Sequence, residues 1–327
     1  MFNVISNAIV SFNSLVIRDG YPPANGQNGG GIQSQGNLTL NACTLTNNGV
    51  SGSGGGICIV GGVATLNECT VSGNAANAWG LTGKSGGIGG GIYNPGSTLT
   101  LNQCTIAENV AYGTTGGGGI AFGTGGGTVA LNQCTVSQNT AANFGGGIYQ
   151  SGGSLVVSNS IVAADTQSSG YDITNASGTA TFTGVNLTNG NPLLASLGNY
   201  GGPTKTLPPL PGSPAIDGCT NGTSFAKDQR GLPRVVGAYA DLGAVEGVYN
   251  PAMSLLSPVY LGNGSFQFGF SNLSGPSYTV LAGTNVAAPI NTWSNLGAPL
   301  EAPAGAFQFT DTQAANYLQR FYRVKGP

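Results

Sequence analysis

The residues able to do chemistry in this chain are few and unevenly placed. It contains no histidine, which removes the side chain most used as a general base and as a metal ligand. Charged residues make up 6% of the sequence, against roughly 25% in ordinary globular domains. Up to residue 190 the acids are Asp19, Glu68, Glu108, Asp165 and Asp172, widely scattered. Glycoside hydrolysis needs two carboxyls held about 5–9.5 Å apart, and Glu68 and Glu108 do not fall at equivalent places. Charge concentrates instead at Asp217, Asp228, Arg230, Arg234, Asp241 and Glu246. These read as ion pairs and turns holding an irregular segment, and no resident cofactor is expected. The functional alternative is calcium on Asp217, Asp228 or Asp241; hard cations want clustered oxygens, and the spacing is not that of an EF-hand.

The elements that would position any such group are set by an internal repeat. Ile32, Ile57, Ile92, Ile120 and Ile148 each follow three glycines. After a variable loop comes an alternating segment: LTLNACTL, ATLNECTV, LTLNQCTI, VALNQCTV and LVVSNSIV. The segment VSFNSLVI, Val10 to Ile17, fits the same template one turn earlier. Successive cysteines Cys43, Cys69, Cys104 and Cys134 lie 26, 35 and 30 residues apart. The matched segments keep their length, so the variation sits in the loops, as in a solenoid. Alternation puts Leu38 and Leu40 on one strand face and Thr39 on the other. Three strands per coil separated by bends give a parallel β-helix of six or seven coils stacked about 4.8 Å apart.

Stacking makes like residues neighbours. Leu40, Leu66, Leu101 and Leu131 are expected to form an inner apolar ladder. Asn41, Asn67, Asn102 and Asn132 should form another at the bend, where asparagine tolerates left-handed backbone and its amide reaches the next coil. Cys43, Cys69, Cys104 and Cys134 are read as buried free thiols, because Ser160 takes the fifth place of the row and thiols pack as small hydrophobes. Cys58 is expected to point outward, and a bridge from it to Cys219 stays open. No CxxC pair suggests zinc.

The GGGI and CTxxxN repeats resemble those of bacterial polymorphic outer-membrane and autotransporter-like β-helix proteins. Asn191 to Gly247 is more specific, with NPLLASLGNYGGPTKTLPPLPGSPAIDG, DQRGLPR and DLGAVEG. It resembles the end of choice-of-anchor Q domain-containing proteins, over about residues 1–247 in all. The resemblance implies an exported right-handed β-helix and a surface location; it implies no activity. It also implies a sorting signal, whereas this chain ends in YRVKGP and starts without a charged leader region.

The expected fold is therefore all-β: a right-handed parallel β-helix solenoid over residues 1–190, a proline-rich cap over 191–250 that shields the last coil, and a β-sandwich over 251–327. The last part rests on short alternating strands such as SFQFGFSN, SYTVLAGTN and AFQFTD. Trp293, Phe309 and Tyr322 are read as its core.

Three function classes follow. The first is a non-catalytic structural or adhesive protein, secreted or on the bacterial cell surface, in which an open edge from Val4 to Ile17 joins copies into an oligomer or fibre. The second is binding of a glycan or a surface polysaccharide, with Tyr93 and Tyr149 flanking a shallow site and exposed threonines in rows: Thr39, Thr65 and Thr100, then Thr44, Thr70, Thr105 and Thr135. The third is a polysaccharide lyase or hydrolase, suggested by fold analogy alone; the outward positions Gln33, Cys58, Tyr93, Ala121 and Tyr149 hold no acid–base pair. No basic run points to nucleic acid, and no apolar stretch reaches the roughly 18 residues that span a bilayer.

Overall fold

The computed structural model describes residues 1–22, 27–77, 87–247, 255–271, 278–303 and 306–325. The chain divides into two compact units, Met1–Leu197 with Gly202–Gly247, and Gly198–Gly201 with Val248–Pro327. The expected boundary at 250 falls outside the described residues.

The first unit is a parallel β-solenoid of about six turns. Among the described residues two of its sheets have seven strands, one has six and one has four. The GGGI strands form sheet A, in which Ile32 pairs with Ile57, Ile57 with Ile92, Ile92 with Ile120, and Ile120 with Ile148. The LTLN strands form sheet B, with Leu40, Leu66, Leu101 and Leu131 in one register. The CTL strands form sheet C, including Thr44–Thr46, Thr70–Ser72 and Thr105–Ala107. Ile9–Asn13 and Val16–Arg18 join sheets B and C as the early turn.

Three strands per coil proves one too few. A fourth, two residues long, follows sheet C at Gly49–Val50, Ala75–Ala76, Val110–Ala111 and Thr140–Ala141, and these form sheet D. Two residues carry no periodicity that a reading of alternation could detect.

The glycine triplet has a steric cause. A Cβ on Gly90 would lie 2.4 Å from the Gly118 carbonyl oxygen, and one on Gly118 would lie 2.4 Å from that of Gly146. Coil backbones meet there with no room for a side chain. At the bend after sheet B the left-handed residue is not the asparagine but its successor: Ala42, Glu68, Gln103 and Gln133 have φ of 49°, 55°, 49° and 49°. A left-handed conformation costs a non-glycine residue roughly 1–2 kcal/mol. The ladders on either side over-determine it.

The interior is a continuous column of Ile, Leu, Val and the cysteines Cys43, Cys69, Cys104 and Cys134. The second unit is built by itself from antiparallel sheets. One has the order Leu256–Tyr260, Phe266–Ser271, Ala306–Asp311, Leu300–Glu301; the other has Thr279–Gly283 between Ser294–Gly297 and Phe321–Lys325. Phe268, Phe270, Tyr278, Val280 and Phe307 fill its core. Trp293 is buried there, and Phe309 and Tyr322 are half-buried.

Candidate functional site

The outer face of sheet C is where the fold departs most from expectation. Thr70, Thr105 and Thr135 are 0%, 0% and 1% exposed. They are not an open hydroxyl row, because residues 202–247 run back along this face and cover it. The Thr70 hydroxyl donates to the Lys205 carbonyl at 2.5 Å, that of Thr105 donates to Gln229 Oε1 at 2.6 Å, and that of Thr135 accepts from the Ala244 N–H at 3.0 Å. Gln229 is the main fastener: its amide donates to the Cys69 carbonyl and to the hydroxyls of Thr70 and Thr204. Thr44, nearer the start, stays half-buried, as do Thr39, Thr65 and Thr100 on sheet B.

The proline-rich segment is thus a return strap along the side of the coils rather than only a shield for the last one. It reaches the end as well, where Ala215, Cys219, Ala240 and Leu242 pack on Ile161 and Ala163. The charged residues of DQRG and DLGAVEG are the strap's internal frame. Arg230 holds Asp228 Oδ2 at 2.6 Å and the Glu246 carbonyl at 2.9 Å. Arg234 donates to the Asp241 and Gly243 carbonyls, both at 2.7 Å, and lies 3.6 Å from Glu246. Burial pushes the Glu246 carboxyl up to about 8 and lowers the Arg234 guanidinium. Desolvation outweighs attraction in this pair, as expected for buried ions.

For the suggested calcium ligands, Asp228 is committed to Arg230, Asp241 accepts from the Asp217 N–H at 2.7 Å, and Asp217 accepts from the Tyr239 N–H at 2.9 Å. Among the described residues no group of three or more His, Cys, Asp or Glu is placed to hold a metal ion.

Two asparagine ladders run along the coils. The bend row is linked amide to amide: Asn67 donates to Asn41, Asn102 to Asn67 and Asn132 to Asn102, each at 2.8 Å. A second row, Asn48, Asn74, Asn109 and Asn139, is fully buried. Each amide there donates to the next at 2.9 Å or 2.8 Å and the row ends on Asp165. Burial raises the Asp165 carboxyl well above its usual range.

All six cysteines are free and buried. Cys58 lies in the register of Gln33 and Tyr93 yet is 0% exposed, and burial raises its thiol to about 12. Its outward register does not make it accessible, and neither it nor Cys219 is in a disulfide. Tyr93 and Tyr149 share one row with buried Ala121 between them, and both are half-buried. The Tyr93 hydroxyl lies 3.1 Å from that of Thr124.

One cleft opens where the bend meets the strap. It has a volume of about 440 Å³ and brings Asn102, Asn132 and Ser158 of the coils against Thr223, Ser224 and Phe225. The asparagines were legible as a ladder. The strap residues across the cleft were not, since the strap meets the coils there at long range, Thr223 against Gln133 across 90 residues.

Residues 133–151 match the Chlamydia polymorphic membrane protein repeat. The match spans strands Thr135–Ser137, Thr140–Ala141 and Ile148–Gln150, one step through sheets C, D and A. Neither a curated protein nor a solved structure matches the chain. The repeat match and the solenoid together support a β-helix of the surface-protein kind. No helix among the described residues is long and apolar enough to cross a membrane.

Proposed function

We propose that this chain is a non-catalytic structural or adhesive solenoid displayed at the bacterial cell surface or secreted, of the choice-of-anchor Q kind. The observation that carries the reading is the strap. Sheet C is the face on which charged groups converge, and there the chain covers its own hydroxyl row and commits its carboxylates to buried arginines. The repeat match supports the surface location. The outward row of sheet A carries Gln33, Cys58, Tyr93, Ala121 and Tyr149, which supply no acid–base pair. The test is a turnover screen of the full chain on polygalacturonate and on neutral polysaccharides, with and without calcium. No released product is expected; reproducible product lost on Asp228→Asn would overturn the reading.

Self-association is a second reading, favoured by one specific feature. Phe2–Val4, Ile9–Asn13 and Val16–Arg18 are the outermost described strands of sheets A, B and C. With the adjoining Ile5 they expose Phe2, Ile5, Ile9 and Val16 at 47%, 65%, 85% and 63%. An edge whose backbone has no strand partner among the described residues, beside exposed apolar side chains, is of the kind that recruits strands. Light scattering that rises with concentration, and is abolished by Ile9→Lys with Val16→Lys, supports coil-on-coil assembly; a monomer at every concentration rejects it.

A further inference from the structure

The cleft between the bend ladder and the strap has a composition that selects a ligand. Asn132 is the last asparagine of the bend row: it donates to Asn102, but the next coil places Ser158 where another amide would stand. In every earlier step the asparagine oxygen accepts from the following coil. At Asn132 that step is missing, so a carbonyl oxygen and the Ser158 hydroxyl face the cleft where the ladder stops.

The opposite wall is hydrogen-bonded and neutral. With its carboxamide oriented to satisfy both neighbours, buried Gln133 accepts from Arg234 Nε at 3.0 Å and Nη2 at 2.9 Å and donates to the Thr223 hydroxyl. The Arg234 charge is spent on this amide and on the Asp241 and Gly243 carbonyls. The Thr223 hydroxyl in turn accepts from the Phe225 N–H at 3.0 Å, which holds the Phe225 backbone beside the cleft that this half-buried residue lines. No charged side chain lines the space.

Amides, hydroxyls and one aromatic residue lining a single space suit a neutral sugar, which has hydroxyls around its edge and an apolar C–H face. A volume of about 440 Å³ lies within the usual range for small-ligand sites, about 300–1,000 Å³. A uronate or phosphate would enter with a charge and find no cationic side chain lining the cleft to pair with it.

We propose that this cleft binds a neutral saccharide, with a sugar face on Phe225 and hydroxyls on Asn132 and Ser158. The site does not depend on the structural reading above, since a surface solenoid needs no ligand here.

Saturation-transfer NMR on the full chain tests it with cellobiose, maltose, lactose and diacetylchitobiose, each at about 10 mM, the scale of a weak site; digalacturonate is the charged comparison. At least one neutral disaccharide should give transfer and digalacturonate none. Phe225→Ala and Asn132→Ala should each weaken binding by about tenfold. Phe225→Leu keeps the bulk but loses the flat ring and should weaken it too. Tyr260→Ala, an exposed tyrosine of the second unit, should leave it unchanged. Folding of each variant is checked by circular dichroism. Transfer to no neutral disaccharide, or binding undiminished in both Phe225 variants, would overturn the proposal.

Discussion

Truncating Asn109 separates the buried ladder from the bend ladder energetically. Asn109 is 0% exposed. Its Oδ1 accepts from the backbone N–H of Asn74 at 3.0 Å and from the Asn74 amide at 2.9 Å, and its Nδ2 donates to the Val71 carbonyl and to Asn139 Oδ1, both at 2.9 Å. Asn109→Ala removes all four and strands two buried donors on Asn74. A buried donor without a partner costs about 1–3 kcal/mol, so the pair predicts a loss of about 2–6 kcal/mol. Asn67 also makes two ladder bonds, to Asn41 and Asn102, but it is half-buried and water replaces its partners. Asn67→Ala should therefore cost about 1 kcal/mol or less. Urea titration of the full chain by far-UV circular dichroism measures both, read from midpoints at unchanged slope. Equal losses for the two variants would refute the reasoning, because they would show that burial of the ladder does not set its worth.

Three further outcomes follow from the same structure. Gly118→Ala would place a Cβ 2.4 Å from the Gly146 oxygen and 2.5 Å from that of Thr140; it should cost more than about 3 kcal/mol in the same titration, while Gly262→Ala, with nothing within 4 Å, should stay within about 0.5 kcal/mol. Asp165 has its folded-state carboxyl raised by burial, so the folded chain holds a proton that the unfolded chain releases. Its stabilising contribution is complete below the ordinary carboxyl range and is lost as pH rises through the folded value; Asp165→Asn should flatten that decline and melt higher than the parent at pH 8. A thiol reagent should find almost no reactive cysteine in the native protein and all six after unfolding, since every one is free and buried; rapid native labelling of Cys58 would contradict its burial.

How much of this was legible in the chain depends on what stacks on what. The GGGI isoleucines, the Leu40 row and the bend asparagines repeat because each coil presents the same residue to its neighbour, so spacing alone exposes them. The two-residue strands of sheet D are too short to alternate. The left-handed bend residues escaped because Ala42, Glu68 and Gln103 share no side-chain chemistry; the ladder before them holds the conformation. The strap was read as an end cap because its partners lie far off in sequence: Gln103 meets the Lys227 carbonyl across 124 residues and Thr70 meets Gln229 across 159. That one contact set turns Thr70, Thr105 and Thr135 from an apparent binding row into the floor of the chain's own packing. The charged motifs DQRG and DLGAVEG, and their ion pairing, are legible in the sequence; that the uncharged Gln229 and the Ala244 N–H beside those charges fasten the strap to sheet C is not, because their partners lie far off in the chain.

The function proposed for the chain is that of a non-catalytic, strap-sealed solenoid displayed at the bacterial cell surface. The most direct measurement is protease shaving of intact cells that make the protein, with antibody detection of the released coils. Release from intact cells, with no added release on permeabilisation, is expected. Protein that becomes accessible only after the envelope is opened would contradict it.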